Sequence, residues 1–264
     1  MFSVLDTCAR FILLGKLVFD DFGLLDPITV RRVCTDLPTQ KILGKALNNA
    51  PNILLHFIHS CPDLEKNLVE LADTRCSDPA ETCKAKQELV HSFAFELLRE
   101  KAPALYDALP WHDWDFSIVT DKFRLWRTKL LLCGEGTTVT IEKCRRTAGV
   151  YVLEPVEIIA RYLEKKGGLE KVKRLKVLRS SSENIPLGPN SVELAIADSV
   201  GENPDKAFKE LARVSSNILV LCTRPEGLCP PVKWFCEHGF TQDSVRVNPT
   251  GAALPCWWFS KSLD

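Results

Sequence analysis

The spacing of apolar residues divides the chain near residue 117. From Ser3 to about Ala108, apolar residues recur every three or four positions and prolines separate the repeats, which predicts an all-α segment of about six helices. One helix is expected to begin at Asp78-Pro79, an acidic cap followed by proline, and to extend to about Glu100. Residues 1–117 are therefore predicted to form a helical N-terminal domain.

Beyond residue 117 the pattern changes from helical to strand-like. Short β-rich runs alternate with helical stretches, an arrangement that predicts βαβ units and a parallel sheet. The runs are Lys129–Cys133, Val150–Leu153, Arg174–Leu178, Leu194–Ala197 and Ile218–Leu221. The predicted fold of residues 118–264 is therefore α/β, with a doubly wound and mostly parallel sheet.

Composition and charge narrow the range of partners. The 34 basic residues equal the 34 acidic ones, which argues against nucleic acid as the main partner. No stretch approaches the ~18 uninterrupted apolar residues of a membrane span. Charges also interrupt Met1–Phe19, which predicts an amphipathic helix rather than a signal peptide. We expect a cytoplasmic protein whose 11 cysteines are reduced.

The residues that follow the first two strand runs are candidates for ligand binding, because ligands of doubly wound sheets bind at the carboxyl ends of strands. The first run continues into Cys133-Gly134-Glu135-Gly136-Thr137-Thr138, and the second into Glu154-Pro155, with Glu154 20 positions after Gly134. Glycines let the backbone approach a nucleoside, and an acid at this spacing can accept hydrogen bonds from ribose hydroxyls. Two alternatives stay open, a purely conformational role for the glycines and a helix start at Glu-Pro.

Motifs further along the chain carry a resemblance to a known family. Their order and spacing resemble the class I S-adenosylmethionine-dependent methyltransferases, particularly the ubiquinone-biosynthesis-like branch, over about half the chain. The motifs are Ser182–Leu187, Asn190–Ile196, Glu210–Asn217, His238-Gly239-Phe240 and Pro255–Phe259. The resemblance implies a Rossmann-like methyltransferase fold that ends in an antiparallel hairpin, S-adenosylmethionine as cofactor, and transfer of a methyl group. No metal is expected, because the histidines and cysteines show no zinc-like ligand spacing.

The resemblance also implies individual cofactor contacts. Gly134 and Gly136 match the first two glycines of the cofactor loop, and Glu154 matches the acid that binds the ribose. Ser181 stands where an acid contacts the adenine amino group, and Ile185 would border the adenine. The neighbouring residues of these turns complete the expected cofactor set, namely Glu135, Pro155 and Ser182.

Besides Ser181, three sites depart from the family pattern. Leu132 replaces an acid that helps to hold the methionine moiety, Thr138 replaces the third glycine, and Ser215-Ser216-Asn217 replaces a Pro-Gly-Gly turn. Loss of an acid removes a charge-assisted contact to the cofactor's ammonium group, which corresponds to roughly 1.5–3 kcal/mol or about one to two decades of affinity.

An acceptor pocket is predicted from a second group of residues. Trp111, His112 and Trp114 precede the first strand run, where methyltransferases often carry a segment that folds over the cofactor, and Asp198 follows the fourth strand run. The alternative for the two tryptophans is that they pack the two halves of the chain together.

Two functions remain open at this point. The first is an active methyltransferase whose acceptor, a small molecule or a protein, is unknown. The second is a catalytically inactive pseudo-methyltransferase that acts as a protein-interaction module and binds a partner or a second copy through its helical domain. Other classes have less support: His56, His59 and Cys61 lack a second zinc-like ligand pair, and the chain has neither a full Gly-x-Gly-x-x-Gly nor a Gly-x-Ser-x-Gly motif.

Overall fold

The computed structural model divides the chain into two compact units, Met1–Tyr106 (the helical unit) and Asp107–Asp264 (the α/β unit). The structure describes residues 17–73, 78–109, 116–134, 137–169, 172, 174–200, 203–221, 230–247 and 255–261. Within these ranges, the side chains of residues 137–139, 244–247 and 255 are not described. The predicted helix within Met1–Phe19 lies almost wholly outside these residues. Among the described residues, no helix combines the length and apolarity needed to cross a bilayer.

Every described element of the helical unit up to Lys101 is helical, which confirms the all-α prediction for this part of the chain. Short 3₁₀ turns at Phe19–Leu24 and Pro62–Leu64 accompany the α-helices. The α-helices are α1 (Pro27–Thr35), α2 (Gln40–Leu47), α3 (Pro51–Ser60), α4 (Glu65–Ala72), α5 (Pro79–Ser92) and α6 (Ala94–Lys101). Fully buried side chains such as Phe22, Leu43 and Phe57 form the core.

The helix expected from Asp78 to about Glu100 is two helices. Asp78 caps α5 as predicted, since its carboxylate accepts from the Ala80 N–H at 2.8 Å. The helical path breaks at Phe93, a residue that is 91% buried and whose ring packs edge-on against Phe22, with 6.2 Å between ring centroids. The break lets Leu89 before it and Leu97 after it both reach the core.

The α/β unit contains one seven-stranded sheet in the order β3-β2-β1-β4-β5-β7-β6. The strands β1 to β5 are parallel, and β7 pairs antiparallel with both β5 and β6. The strands are β1 (Lys129–Cys133), β2 (Gly149–Leu153), β3 (Leu175–Leu178), β4 (Val192–Ala197), β5 (Ser215–Leu221), β6 (Phe240–Val247) and β7 (Pro255–Lys261). The predicted doubly wound sheet and its closing hairpin are confirmed.

Helices cover both faces of this sheet, which explains why its central strands are continuous apolar runs. Alternate residues of β1 enter two separate cores: Leu130 and Leu132 pack on one face, and Leu131 and Cys133 on the other. The helices of the α/β unit are α7 (Pro103–Asp107, which starts in the helical unit), α8 (Ser117–Thr120), α9 (Thr137–Lys143), α10 (Glu157–Leu169), α11 (Pro204–Val214) and α12 (Val232–Glu237). The first core contains side chains of α8, α9 and α10, and the second contains those of α11 and α12.

Strand β5 begins three residues earlier than the sequence pattern predicts. Ser215 pairs with Val192 and Asn217 with Leu194, so Ser215-Ser216-Asn217 is strand rather than turn. The physical reason is that these residues lack the proline and glycines that would force a turn, and α11 can therefore pass directly into β5. Ser215 Oγ donates to the Leu211 carbonyl at 2.7 Å, which satisfies the hydroxyl at this junction.

Candidate functional site

The sheet register brings the predicted cofactor turns to one edge. Cys133, the last residue of β1, pairs with Leu153 of β2 and with Ala197 of β4. The next residues, Gly134, Glu154 and Asp198, therefore leave the sheet side by side. Two backbone bonds hold this edge together: the Asp198 N–H donates to the Cys133 carbonyl at 3.1 Å, and the Glu154 N–H donates to the Leu178 carbonyl at 3.0 Å.

This edge is also where the winding of the sheet reverses. The chain runs outward from β1 to β2 and β3, and then crosses to the other side of β1 to form β4 and β5. Carboxyl ends of strands at such a switch point form the crevice in which doubly wound proteins bind ligands. Gly134, Glu154 and Asp198 directly follow β1, β2 and β4 at this edge.

Gly134 is a position that only glycine fits. Its φ of +125° lies in a region that residues with a side chain rarely adopt. A Cβ at this position would overlap Asp198 Oδ1 and would lie 2.6 Å from the Ser199 nitrogen and 2.8 Å from Asp198 Cγ. The glycine therefore allows the Asp198 carboxylate to pack directly on the backbone of the β1 turn.

Glu154 is almost fully buried, with 1% of its surface exposed. Its Oε1 accepts from the Val156 N–H at 2.9 Å, across the half-buried Pro155. This bond supports the helix-start alternative, because it satisfies an N–H directly before α10. It does not exclude ligand binding, since an ionised carboxylate offers about four acceptor sites.

The environment of the Cys133 thiol shows that the carboxyl ends of β1, β2, β3 and β4 lie close together. Burial raises its pKa to about 12, and the negative charges of Asp198 and Glu154 add to the increase, while a hydrogen bond with Ser182 acts in the opposite direction. Its Sγ donates to the Ser199 carbonyl at 3.4 Å. The Cys133 sulfur thus interacts with Glu154 after β2, with Ser182 after β3 and with Asp198 and Ser199 after β4. Such a thiol is protonated at neutral pH and is a poor nucleophile.

The turn after β3 holds the remaining described cofactor candidates. Ser181 is half-buried, its carbonyl accepts from the Asn184 N–H at 3.2 Å, and Ser182 is buried beside Cys133. Ile185 is 97% buried and packs in the core that contains α11. This turn therefore contacts both the hydrophobic interior and the carboxyl edge of the sheet, which is called the ligand edge below.

An ion pair on α11 fixes that turn, and our sequence analysis did not assign it a role. Arg213 donates from Nη2 to the Ile185 carbonyl at 2.8 Å and from Nη1 to the Leu187 carbonyl at 2.7 Å. Its partner Glu210 accepts from the Ile185 N–H at 2.9 Å and lies 2.7 Å from the Arg213 guanidinium. Two sequence signals pointed to this clamp: the spacing of three between an acid and an arginine on a helix, and the Glu210–Asn217 motif that contributes to the family resemblance.

The family departures differ in what they mean for the site. Leu132 is 99% buried in the core on one face of the sheet, so no charge replaces the missing acid at that position. Ser215-Ser216-Asn217 begins β5 at the opposite edge of the sheet, and it therefore has no direct bearing on the ligand edge. The Thr138 side chain lies outside the described residues.

Several predicted site residues lie outside the described part of the chain: Glu135, Gly136, Trp111, His112 and Trp114. The described ranges contain no group of three or more His, Cys, Asp or Glu side chains that could hold a metal ion. His56, considered above as a metal ligand, instead donates from Nε2 to the Leu25 carbonyl at 3.0 Å.

Comparison with known proteins gives structural matches only. No protein-family model and no curated protein sequence matches the chain. A S-adenosylmethionine-dependent methyltransferase from Aquifex aeolicus is 19% identical, over 61% of this chain and 96% of its own, with a TM-score of 0.45. The magnesium protoporphyrin IX methyltransferase of Synechocystis, solved with bound S-adenosylhomocysteine, is 12% identical over 55% of this chain and 78% of its own, with a TM-score of 0.43. A possible histamine N-methyltransferase from Thermotoga maritima is 15% identical over 62% and 99%, with a TM-score of 0.42.

The strand order and the antiparallel β7 decide the architecture. The α/β unit has a Rossmann-like methyltransferase fold. The methyltransferase fold implied by the sequence motifs is thus confirmed by the sheet itself, while membership of the ubiquinone-biosynthesis-like branch stays a prediction. Fold alone does not specify a reaction, which has to be argued from the residues at the ligand edge.

Proposed function

We propose that the α/β unit binds S-adenosylmethionine at the carboxyl ends of β1 to β4 and transfers its methyl group to an acceptor that is still to be identified. One observation carries the proposal: a glycine that must be glycine, Gly134, lies between two buried acids, Glu154 and Asp198, at the switch point of the sheet.

The residues at this edge fit the chemistry of the cofactor. S-adenosylmethionine combines a neutral nucleoside with a cationic amino-acid end, and two acids on either side of β1 match that combination of diol and positive charge. Glu154 would accept hydrogen bonds from the ribose hydroxyls, and Ser181 would contact the adenine amino group, as the family resemblance implies. The positive φ of Gly134 keeps the turn free of a side chain where the ligand must approach.

Bound S-adenosylmethionine would supply a methyl group that is already activated by its sulfonium. The protein would contribute orientation: Glu154 and the Gly134 turn would hold the nucleoside, and the clamp formed by Arg213 and Glu210 would keep the turn after β3 in place. No general base is required when the acceptor is already a nucleophile, so the protonated Cys133 thiol needs no part in the transfer.

The competing function is an inactive interaction module, and fewer of the departures from the family pattern now support it. Of the three departures cited for it, Ser215-Ser216-Asn217 lies at the opposite edge, and the Thr138 side chain is not described. Only the buried Leu132 still argues for weakened cofactor binding. Binding of the cofactor is therefore the property that separates the two functions.

Isothermal titration calorimetry with S-adenosylmethionine and S-adenosylhomocysteine tests the proposal. We expect both to bind, and a ligand at 100 times its Kd stabilises the native state by about 2.7 kcal/mol, which thermal unfolding also detects. Glu154→Gln keeps an acceptor for the Val156 N–H and should weaken both ligands about 10- to 100-fold. The matched control is Glu164→Gln, which removes an exposed carboxylate on α10 that pairs with Arg179, and it should leave both affinities unchanged.

Two results would contradict the proposal. Absence of binding by either compound at millimolar concentration would exclude a cofactor site and leave the interaction module. Binding without transfer of radiolabelled methyl from S-adenosylmethionine into any small-molecule or protein fraction of a cell extract would exclude the enzyme while keeping the site. Transfer that Glu154→Gln reduces and Glu164→Gln does not is the expected result.

A further inference from the structure

Asp198 is an acid that the structure brings to the β1 turn from a different strand. It follows β4, it is 91% buried, and its N–H donates to the Cys133 carbonyl. Its carboxylate packs against Gly134, in the space that a Cβ would need. Asp198 therefore lies next to the turn that follows β1, the strand that contains Leu132.

The two acids at this edge lie on opposite sides of β1. Glu154 follows β2 and Asp198 follows β4, and both are close enough to Cys133 for their charges to raise the pKa of its thiol. If Glu154 accepts from the ribose, Asp198 is the described acid nearest the β1 turn that remains for the charged end of the ligand. Leu132, buried in the core, supplies no charge there.

We propose that the Asp198 carboxylate holds the ammonium group of the cofactor's methionine moiety and so supplies from β4 the charge that β1 lacks at Leu132. This inference rests on the proposed function. It assigns Asp198 to the cofactor rather than to the acceptor pocket. An ammonium–carboxylate contact in a buried crevice is charge-assisted, and its loss typically lowers affinity by about one to two decades.

The experiment compares three ligands on Asp198→Asn by calorimetry. S-adenosylmethionine and S-adenosylhomocysteine both carry the ammonium, whereas 5′-methylthioadenosine keeps the nucleoside and lacks the whole amino-acid end. We expect Asp198→Asn to weaken the first two equally, about 10- to 100-fold, and to change the affinity for 5′-methylthioadenosine less than about twofold. Glu154→Gln should instead weaken all three.

The control variant is Glu193→Gln. Glu193 lies on β4, the strand that Asp198 follows, at the opposite edge of the sheet, where its exposed carboxylate accepts from the Lys129 N–H. Glu193→Gln removes one negative charge, as Asp198→Asn does, and the affinities for all three ligands should stay at their wild-type values. Asparagine has nearly the same shape as aspartate and keeps the packing on Gly134, so the thermal unfolding midpoint of ligand-free Asp198→Asn should stay close to that of the wild type.

Each remaining outcome overturns the inference in a different way. An equal loss for all three ligands would mean that Asp198 maintains the shape of the site. A loss for S-adenosylmethionine alone would assign the carboxylate to the sulfonium, and no loss at all would return Asp198 to another role. If the wild type binds none of the three ligands, the proposed function itself fails, which is a distinct result. If Asp198→Asn does not fold, Asp198→Glu is the second variant. Retention by this variant of the preference for S-adenosylhomocysteine over 5′-methylthioadenosine supports the ammonium contact. Loss of that preference contradicts it.

Discussion

The Asp198 carboxylate occupies the space into which a Cβ on Gly134 would project. Two residues that are 64 positions apart in the sequence are thus in direct contact at the carboxyl edge of neighbouring strands. The relationship couples the conformation of the β1 turn to an acid of the β4 turn, because any side chain at position 134 would have to displace that acid.

Gly134→Ala should therefore destabilise the α/β unit. Alanine would be strained at a φ of +125° and would overlap Asp198, and together these effects should lower the free energy of unfolding by roughly 2–4 kcal/mol. Urea unfolding followed by tryptophan fluorescence measures this unit alone, because all six tryptophans lie beyond residue 110. The control is Gly168→Ala on α10, where a Cβ meets nothing within 4 Å and should stabilise the helix by about 0.5–1 kcal/mol. Equal stabilities for the two variants would contradict this account of Gly134.

The sequence predicted those parts of the site that depend on short-range patterns of apolar residues and on the spacing of neighbouring motifs. The apolar runs of β1 and β4 identify buried parallel strands, and the interval from Gly134 to Glu154 corresponds to one strand–helix–strand unit. Parallel pairing then brings the strand ends to one edge without any further information. The position of Glu154 beside the glycine turn follows from that geometry alone.

Long-range contacts account for what sequence could not provide. The contact between Asp198 and Gly134 depends on the register of β1 with β4, and the clamp from Arg213 joins residues 28 positions apart. Similarly, the helix break at Phe93 arises because its ring packs against Phe22, which no local periodicity encodes. Strand β5 begins early because the Pro-Gly-Gly turn of the family is missing. The sequence shows that this turn is absent, but it does not show that strand takes its place.

Arg213→Met should loosen the turn after β3. The variant removes two bonds to backbone carbonyls and leaves Glu210 without its partner, and because the Arg213 side chain is 34% exposed, we expect a moderate loss of about 1–3 kcal/mol. Amide hydrogen exchange should accelerate at residues 182–187, and S-adenosylhomocysteine affinity should fall if the turn contributes to the site. Arg161→Met is the control, since Arg161 is 74% exposed and pairs with Glu157 at the surface of α10; it should change stability by less than about 0.5 kcal/mol. The clamp would be disproved if both variants unfolded at the same urea concentration.

The pH dependence of stability should have opposite signs at two glutamates. Glu100 is 97% buried, its carboxylate accepts from the Asp26 N–H at 2.6 Å and from the Thr29 hydroxyl, and burial raises its pKa above the ordinary value of 4.5. The folded state therefore binds this proton more tightly than the unfolded state, so the stability contributed by Glu100 is fully present below pH 4.5 and is lost as the pH rises through the raised pKa. Glu210 behaves in the opposite way, because its hydrogen bonds with Arg213 lower its pKa, and its contribution is present above pH 4.5 and is lost as the pH falls.

Urea unfolding of Glu100→Gln and Glu210→Gln between about pH 4 and pH 7 measures both effects, with far-UV circular dichroism following the helices and tryptophan fluorescence following the α/β unit. The wild type should lose stability relative to Glu100→Gln as the pH rises, and should gain stability relative to Glu210→Gln over the same interval. Each variant serves as the control for the other, because both replace one glutamate by its neutral isostere and differ only in environment. Slopes of the same sign would show that a general change in net charge, rather than burial at Glu100 and pairing at Glu210, determines the acid response of this protein.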